Sequence, residues 1–286
     1  MKIIGIDENG FGSLTGPLII TGTSIKSEEG KWFASVCDSK KFFSSRKTNN
    51  FKKLEEFVIS LYYCIKRKLP ESSKEVINFF SPDFKCSGMS DICSVNIPDN
   101  FIWADIEKAK KQSEKFIEWM EKEDVSIKDV KSKIICAKKF NELIKNGNSK
   151  FIIDLFYFCE ILKEMGREDY FVYAGKIGSM RYYSKYLRYF FSNYEIYPEI
   201  EEEKKSIYVL NGRRNFKLGF FFNVEEVSFA SSISSIVGKY IREIFMESFR
   251  KSTGIEEKIS GYRDKKTKRV ISNLFSFPQE CVLRIK

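Results

Sequence analysis

One stretch limits what this chain can become more than any other: Lys2-Ile3-Ile4-Gly5-Ile6-Asp7-Glu8-Asn9-Gly10-Phe11-Gly12. It is an apolar run that ends in two adjacent carboxylates and then bends through glycines. Residues 2–8 read as a buried strand. Such a strand carries acids at its end only where something cationic or protonated offsets their desolvation. A divalent metal does so, and glycines just beyond the acids let a backbone lie close to a large ligand. The pattern therefore points to an α/β chain with metal-dependent chemistry on phosphates.

The totals narrow the field. With 286 residues, 43% of them hydrophobic and 15% aromatic, the chain has ample core-forming surface and does not resemble a disordered one. A net charge of +10 suits a partner rich in phosphate. There is no histidine, which removes Cys/His zinc sites, Ser-His-Asp triads and Cys-His pairs together. Any metal must then be held by oxygen, which favours Mg²⁺ or Mn²⁺. The seven cysteines are scattered without a Cys-x-x-Cys pair. Unpaired thiols imply a reducing compartment and a cytoplasmic location. The apolar start is short and interrupted by Asp7 and Glu8, so it reads as neither signal peptide nor membrane span.

Along the chain, Pro17–Ile25 reads as a second strand paired to the first as a hairpin. A helix is expected from Phe51 to about Lys68, ended by Pro70, and residues 70–100 read as irregular. Further helices are expected over Ile106–Glu121, Ala137–Lys145 and from an Asn148 cap to Met165, with a short strand at Ile134-Ile135-Cys136. Tyr170–Ala174 reads as a buried strand ending in Gly175. Arg181–Phe191 follows as a helix, and two strands then join at Asn211-Gly212 with Arg213 and Arg214 at the turn. Ser231–Arg250 is helical, and a basic tail ends the chain. These elements predict one domain over residues 1–286, a mixed β-sheet flanked by helices. Residues 70–127 form an insertion, and residues 231–286 a C-terminal helical, basic region.

Gly10-x-Gly12-x-x-x-Gly16 misses the dinucleotide-binding spacing by one residue and leads into a strand rather than a helix, so no pyrophosphate cradle is expected. Gly5-Ile6-Asp7-Glu8-x-Gly10-x-Gly12 followed by Gly16-Pro17-Leu18 resembles the opening motif of the type 2 ribonucleases H (ribonucleases HII and HIII). Asp38-Ser39-Lys40-Lys41 is similar to that family's Asp-Ser-Lys-Lys loop. Ser235-Ile236-Val237-Gly238-Lys239-Tyr240-Ile241-Arg242-Glu243 resembles its Ala-Ser-Ile-x-Ala-Lys-x-x-Arg-Asp helix. Ser260-Gly261-Tyr262 with Asp264 and Thr267 resembles its Gly-Ser-Gly-Tyr-Pro-x-Asp-x-x-Thr segment. Four motifs in order span nearly the whole chain.

The resemblance implies a ribonuclease H-like fold and a metal-dependent endonuclease. Such an enzyme cuts the RNA strand of an RNA–DNA hybrid, or ribonucleotides embedded in duplex DNA, and this one is expected to act as a monomer without a membrane. Phosphodiester cleavage of this kind uses two Mg²⁺ or Mn²⁺ ions held by several carboxylates. Asp7 and Glu8 would be two of them, although adjacent residues of a regular strand point to opposite faces. The strand must end or twist there, or one acid binds through its backbone. Counting back from Ser235 gives Glu225 as the third acid, with Glu226 its competing neighbour. Gly10, Phe11 and Gly12 would meet the ribose 2′-hydroxyl, Lys40 and Lys239 phosphates, and Tyr262 a sugar. From Lys239 to Lys286 there are 12 Lys/Arg against 6 Asp/Glu, a surplus fitted to backbone phosphates.

Two positions depart from the family pattern. Phe11 stands where arginine or lysine is usual. Ala174, before Gly175, stands where the family ends its central strand in aspartate. Three explanations stay open at Ala174: an engineered substitution, a natural loss of activity, or a substitute acid such as Asp154 or Asp169, neither at a convincing place in the sequence. The second reading is accordingly a catalytically inactive, ribonuclease H-like protein that binds nucleic acid.

Overall fold

The computed structural model describes residues 2–27, 51–86, 97–166, 170–274 and 276–285. The Asp38–Lys41 motif, with Lys40, lies outside them, as does Asp169. Among the described residues, β1 (Lys2–Asn9), β2 (Leu18–Ser27), β3 (Val125–Ile135), β4 (Tyr170–Gly175), β5 (Glu195–Glu201), β6 (Lys205–Asn211) and β7 (Phe216–Phe221) form one mixed sheet in the order β3-β2-β1-β4-β7-β6-β5. β1 pairs antiparallel with β2 and parallel with β4, and β4 pairs parallel with β7. The remaining pairs are antiparallel.

Alternation along β1 sends its side chains to two cores. Ile3 joins α1 (Phe51–Lys66), α2 (Ser73–Phe80), α3 (Ile106–Lys122) and the long α7 (Phe229–Ser252) on one face. Ile4 and Ile6 join α4 (Ala137–Lys145), α5 (Lys150–Met165) and α6 (Ser184–Phe190) on the other. Val172 and Ala174 of β4 share that second face. The approach of α7 to β1 depends on small residues. A Cβ on Gly5 would lie 2.1 Å from the Ser231 nitrogen and 2.7 Å from the Ala230 Cβ. The hydroxyls of Ser231 and Ser234 donate to the carbonyls of Tyr173 and Gly5, at 3.0 and 2.9 Å. Those bonds fix the register between helix and sheet.

The expected hairpin, the helices and the buried strand at 170–175 are present. Four details differ. β3 runs from Val125, because its polar residues pair along one edge of the sheet. α2 lies within the stretch read as irregular, capped where the Ser72 hydroxyl accepts from Glu75 N–H. Ser149 rather than Asn148 caps α5. β5, with acids on both sides of Pro198, carries no apolar alternation, as an exposed edge strand tolerates. Buried Glu55 of α1 ties the following segment to the body by accepting from the backbone N–H groups of Trp103 and Ala104, at 2.6 and 2.7 Å, and from Tyr240 on α7.

The tail forms a third small cluster. Ile259, Ile271 and Val282 pack on Met246 and Phe249, through α8 (Lys265–Ile271) and α9 (Gln279–Val282). Cys281 is disulfide-bonded, so the expectation of unpaired thiols fails there, and the inference of a reducing compartment loses that support. No helix among the described residues is long and apolar enough to cross a membrane.

Candidate active site

The pairing of β1 with β4 ends at Ile6↔Ala174, whereas β1 stays paired with β2 through Asn9↔Ile19. Asp7 and Glu8 therefore extend past the last β4 partner and flank Gly175. A Cβ at Gly175 would lie 2.8 Å from Asp7 Oδ1 and 3.0 Å from Glu8 Oε2. Two acids that start on opposite faces of the strand thus converge on one point over the end of β4. They do so because that neighbour has no side chain there. Asp7 is also hydrogen-bonded by Ser235 of α7, the first residue of the Ser-Ile motif.

Burial and mutual repulsion disfavour the charged forms of both acids. Burial pushes the Asp7 carboxyl well above its ordinary range; the Ser235 hydrogen bond opposes this, and the charge of Glu225 adds to it. Glu8 is raised as well, by burial first and then by the charges of Asp154 and Asp7. Glu225 lies in a single 3₁₀ turn, Val224–Glu226, after β7. It is exposed, and its charge is felt by both Asp7 and Glu8. Glu226 is exposed as well.

Ala174 is fully buried in the core shared with α5. Asp154, on that helix, is 1% exposed, and its Oδ2 has no hydrogen-bond partner among the described residues. Its carboxyl is pushed up by burial and by the charge of Asp7, and held back by Arg284.

The glycine bend is fixed from several sides. Gly10 has φ +94°, and a Cβ there would meet the Pro17 carbonyl oxygen at 2.7 Å and Arg242 Nε at 2.9 Å, so glycine is required. Its carbonyl accepts from the Ser13 hydroxyl and from Arg284 Nη1, while Arg284 Nη2 reaches the Phe11 carbonyl at 3.4 Å. Arg284 is 2% exposed and lies with its guanidinium 3.9 Å from the Phe140 ring centre. Gly12 is exposed, with open space where a side chain would be. The Phe11 ring lies against Gly178, where a Cβ would meet it at 3.3 Å.

The Ser260–Tyr262 loop docks on the same bend. The Gly261 carbonyl accepts from Leu14 N–H at 2.8 Å and Thr15 N–H at 3.1 Å, and Arg242 Nη2 donates to the Ser260 carbonyl at 3.0 Å. Asp264 caps α8 and accepts from Thr267 N–H and both nearby hydroxyls. Tyr262 is left 42% exposed, its ring 4.7 Å from the Arg242 guanidinium. Lys239 is exposed on α7, one turn before Glu243.

The fold thus brings Asp7 and Glu8 together, sets Glu225 within electrostatic range and places Tyr262 beside the Gly10–Gly12 bend. It leaves Lys239 on the solvent face of α7. Two residues are not singled out by the sequence. Arg242 sits inside a motif whose lysine carries the phosphate expectation, and Arg284 gives only the signal of a lone charge in Val282-Leu283-Arg284-Ile285. Asp154, one of the two substitute acids left open for position 174, is buried on α5.

Among the described residues no group of three acids or thiols closes around one point as a metal cage. The donors nonetheless fit a hard divalent cation. Mg²⁺ is commonly held by one or two carboxylates, with waters and substrate phosphates completing its shell. The two carboxylates converging on Gly175 are donors of that kind.

No protein-family model matches the sequence, and no curated protein matches it. Solved structures do match. Ribonuclease HII of Archaeoglobus fulgidus, determined in complex with PCNA, is similar with a TM-score of 0.55 and 14% identity, over 100% of this chain and 95% of that one. Ribonuclease H2 of Pyrococcus horikoshii gives 0.52 and 15%, over 99% of this chain and 92% of that one. A point mutant of Bst-RNase HIII gives 0.50 and 10%, over 99% of this chain and 66% of that one. The mixed sheet between two helical layers is the fold of the type 2 ribonucleases H.

Proposed function

We propose that this protein is a divalent-metal-dependent endoribonuclease that cuts the RNA strand of RNA–DNA hybrids, or ribonucleotides embedded in duplex DNA. The observation that carries this reading is the convergence of the Asp7 and Glu8 carboxylates over Gly175, beside the Gly10–Gly12 bend. A bound Mg²⁺ or Mn²⁺ supplies Lewis acidity and a more acidic water there. The side chains do the positioning. Asp7, hydrogen-bonded by Ser235, and Glu8 would hold the ion at the end of β4, with the charge of Glu225 acting on both from the turn after β7. Arg284 and Ser13 occupy the Gly10 carbonyl and so fix the shape of the bend. The open side of that bend, at Gly12, is where a sugar edge can approach backbone. Tyr262, braced on Arg242, presents a ring face next to it. Lys239 and the exposed Lys265 and Lys268 offer charge to phosphates.

A labelled RNA–DNA hybrid and a duplex with one ribonucleotide, each incubated with Mg²⁺ or Mn²⁺ and with a chelator control, test the reading. Metal-dependent scission at ribonucleotides that disappears in Asp7→Asn is the expected result. The second reading, a non-catalytic duplex-binding protein, is favoured by Ala174. Salt-sensitive duplex binding with no cleavage, in both the wild type and Ala174→Asp, would establish it instead.

A further inference from the structure

We infer that the loop after β4 and the helix α6 that follows it form a binding strip for an unpaired nucleic-acid strand. Tyr182 and Tyr189 stack on its bases, and Arg181, Lys185 and Arg188 meet its phosphates. The inference rests on the proposed function only for the claim that this strand is one leaving the cleavage site.

Three observations carry it. The first is charge. From Tyr170 to Tyr194 the sequence holds four Lys/Arg and no Asp/Glu, so the segment has no acid of its own to neutralise them. Arg181, Lys185 and Arg188 are exposed, and among the described residues none of them makes an ion pair. The acids of neighbouring β5 are held by other groups. Glu199 pairs with Lys217 at 2.9 Å, Glu195 accepts from the Tyr197 hydroxyl at 2.9 Å, and Glu201 accepts from the hydroxyls of Tyr208 and Ser184. Three free cations in so short a stretch complement a row of phosphates.

The second is the exposure of rings between those cations. Tyr189 is 81% exposed and Tyr182 57%, while Tyr183 and Leu187 are buried. On α6, Lys185, Arg188 and Tyr189 stand at i, i+3 and i+4 and share one face. Tyr182 leads into that face with the Arg181 guanidinium 5.2 Å from its ring centre. Alternating cations and open aromatic faces are what a single strand uses, phosphate to cation and base to ring. Bases inside a duplex keep their faces against each other, so exposed rings select unpaired ones.

The third is that the strip is rigid and borders the acid pair. It begins directly after Gly175, and Gly178 lies against the Phe11 ring of the glycine bend. The Tyr183 hydroxyl closes the loop by accepting from Ile177 N–H at 3.1 Å, and its ring stacks on Phe220 of β7 at 3.7 Å. Arg181 Nε donates to the Glu201 carbonyl at 2.8 Å, and the Arg181 carbonyl accepts from the Ser206 hydroxyl at 2.8 Å. The rings are therefore presented by a backbone that is already ordered, which lowers the entropy cost of stacking.

The test compares a blunt RNA–DNA hybrid with the same hybrid carrying a single-stranded extension of about ten nucleotides at one or the other end. Binding to the full-length protein is read by fluorescence anisotropy in chelator, across a salt series. The wild type is expected to bind one extended hybrid at least fivefold more tightly than the blunt one. The double variant Tyr182→Ala/Tyr189→Ala should bind the blunt hybrid within twofold of wild type and lose the advantage, and Tyr182→Phe/Tyr189→Phe should keep it. Lys185→Gln/Arg188→Gln should flatten the logarithmic salt slope for the extended hybrid by about 1.4, the release expected for two phosphates of a single strand. The inference is overturned if neither extension improves wild-type binding by more than twofold, or if the alanine variant retains the advantage. It is also overturned if that variant loses affinity equally for blunt and extended hybrids, which would make the strip a duplex contact. A wild type that shows the extension effect but cleaves no hybrid in Mg²⁺ or Mn²⁺ would remove the proposed activity and leave the strip standing. One that cleaves hybrids but ignores extensions would do the reverse.

Discussion

A single methyl group placed at Gly175 would probe the acid pair without touching either acid. In Gly175→Ala the new Cβ would start 2.8 Å from Asp7 Oδ1 and 3.0 Å from Glu8 Oε2. Ordinary contact between carbon and oxygen needs about 3.4 Å, so one carboxylate must retreat by about 0.6 Å and the other by about 0.4 Å. Metal–oxygen distances tolerate only about 0.2 Å, and a misplacement of about 1 Å can cost about a hundredfold in rate. The variant should therefore cleave a hybrid about tenfold more slowly at saturating metal, a barrier increase of about 1.4 kcal/mol, and require more Mg²⁺ to reach half its maximal rate. Stability should move little. The atoms that must shift are the ends of two side chains rather than backbone, and replacing glycine by alanine where the conformation allows it is worth less than about 1 kcal/mol. Initial rates across a Mg²⁺ titration, paired with urea unfolding in chelator, make the comparison. A folded Gly175→Ala protein with wild-type rate and wild-type Mg²⁺ dependence would refute the claim that the two carboxylates work from this point.

Two further outcomes follow from the packing. Gly5→Ala drives a Cβ into the backbone of α7 at Ser231, a clash that no rotamer relieves, and should cost about 3 kcal/mol or more by urea unfolding; a loss under about 1 kcal/mol would mean that α7 does not seat on β1 as described. Asp264 is held down to about 2 by its bonds from Ser260 and Thr267. Its folded value lies below the unfolded one, so its contribution is present in full above the unfolded value near 4 and is lost as pH falls toward 2. Because the residue is exposed, the effect is modest. The melting-temperature gap between wild type and Asp264→Asn should shrink between pH 5 and about pH 2.5, and a gap that stays constant would refute the assignment.

Much of the frame was legible along the chain. The β1–β2 hairpin, the helix carrying Ser235 to Arg242, and the strand ending at Gly175 follow from short-range periodicity and from motifs whose residues are neighbours in sequence. Edge strand β5 was not legible, because Glu195, Tyr197, Pro198 and Glu199 are exposed in succession around the lone buried Ile196 and leave no alternation to read. Nor could the Ser260–Tyr262 loop be placed, since the bonds that dock it on Leu14 and Thr15 join residues at opposite ends of the chain.

By itself the sequence narrowed the expected chemistry: no histidine, two acids closing a buried strand, a glycine bend and a basic tail point to oxygen-ligated metal and phosphate. Whether those acids meet was decided by the tertiary structure alone. Asp7 and Glu8 begin on opposite faces of β1 and converge because its neighbour β4 stops at a residue without a side chain. Packing of α5 on the sheet likewise lets the buried Asp154 carboxyl act through space on Asp7 and Glu8, which its place in the sequence does not show. Electrostatic coupling depends on distance through space and on exclusion of water. Neither is written in the order of residues.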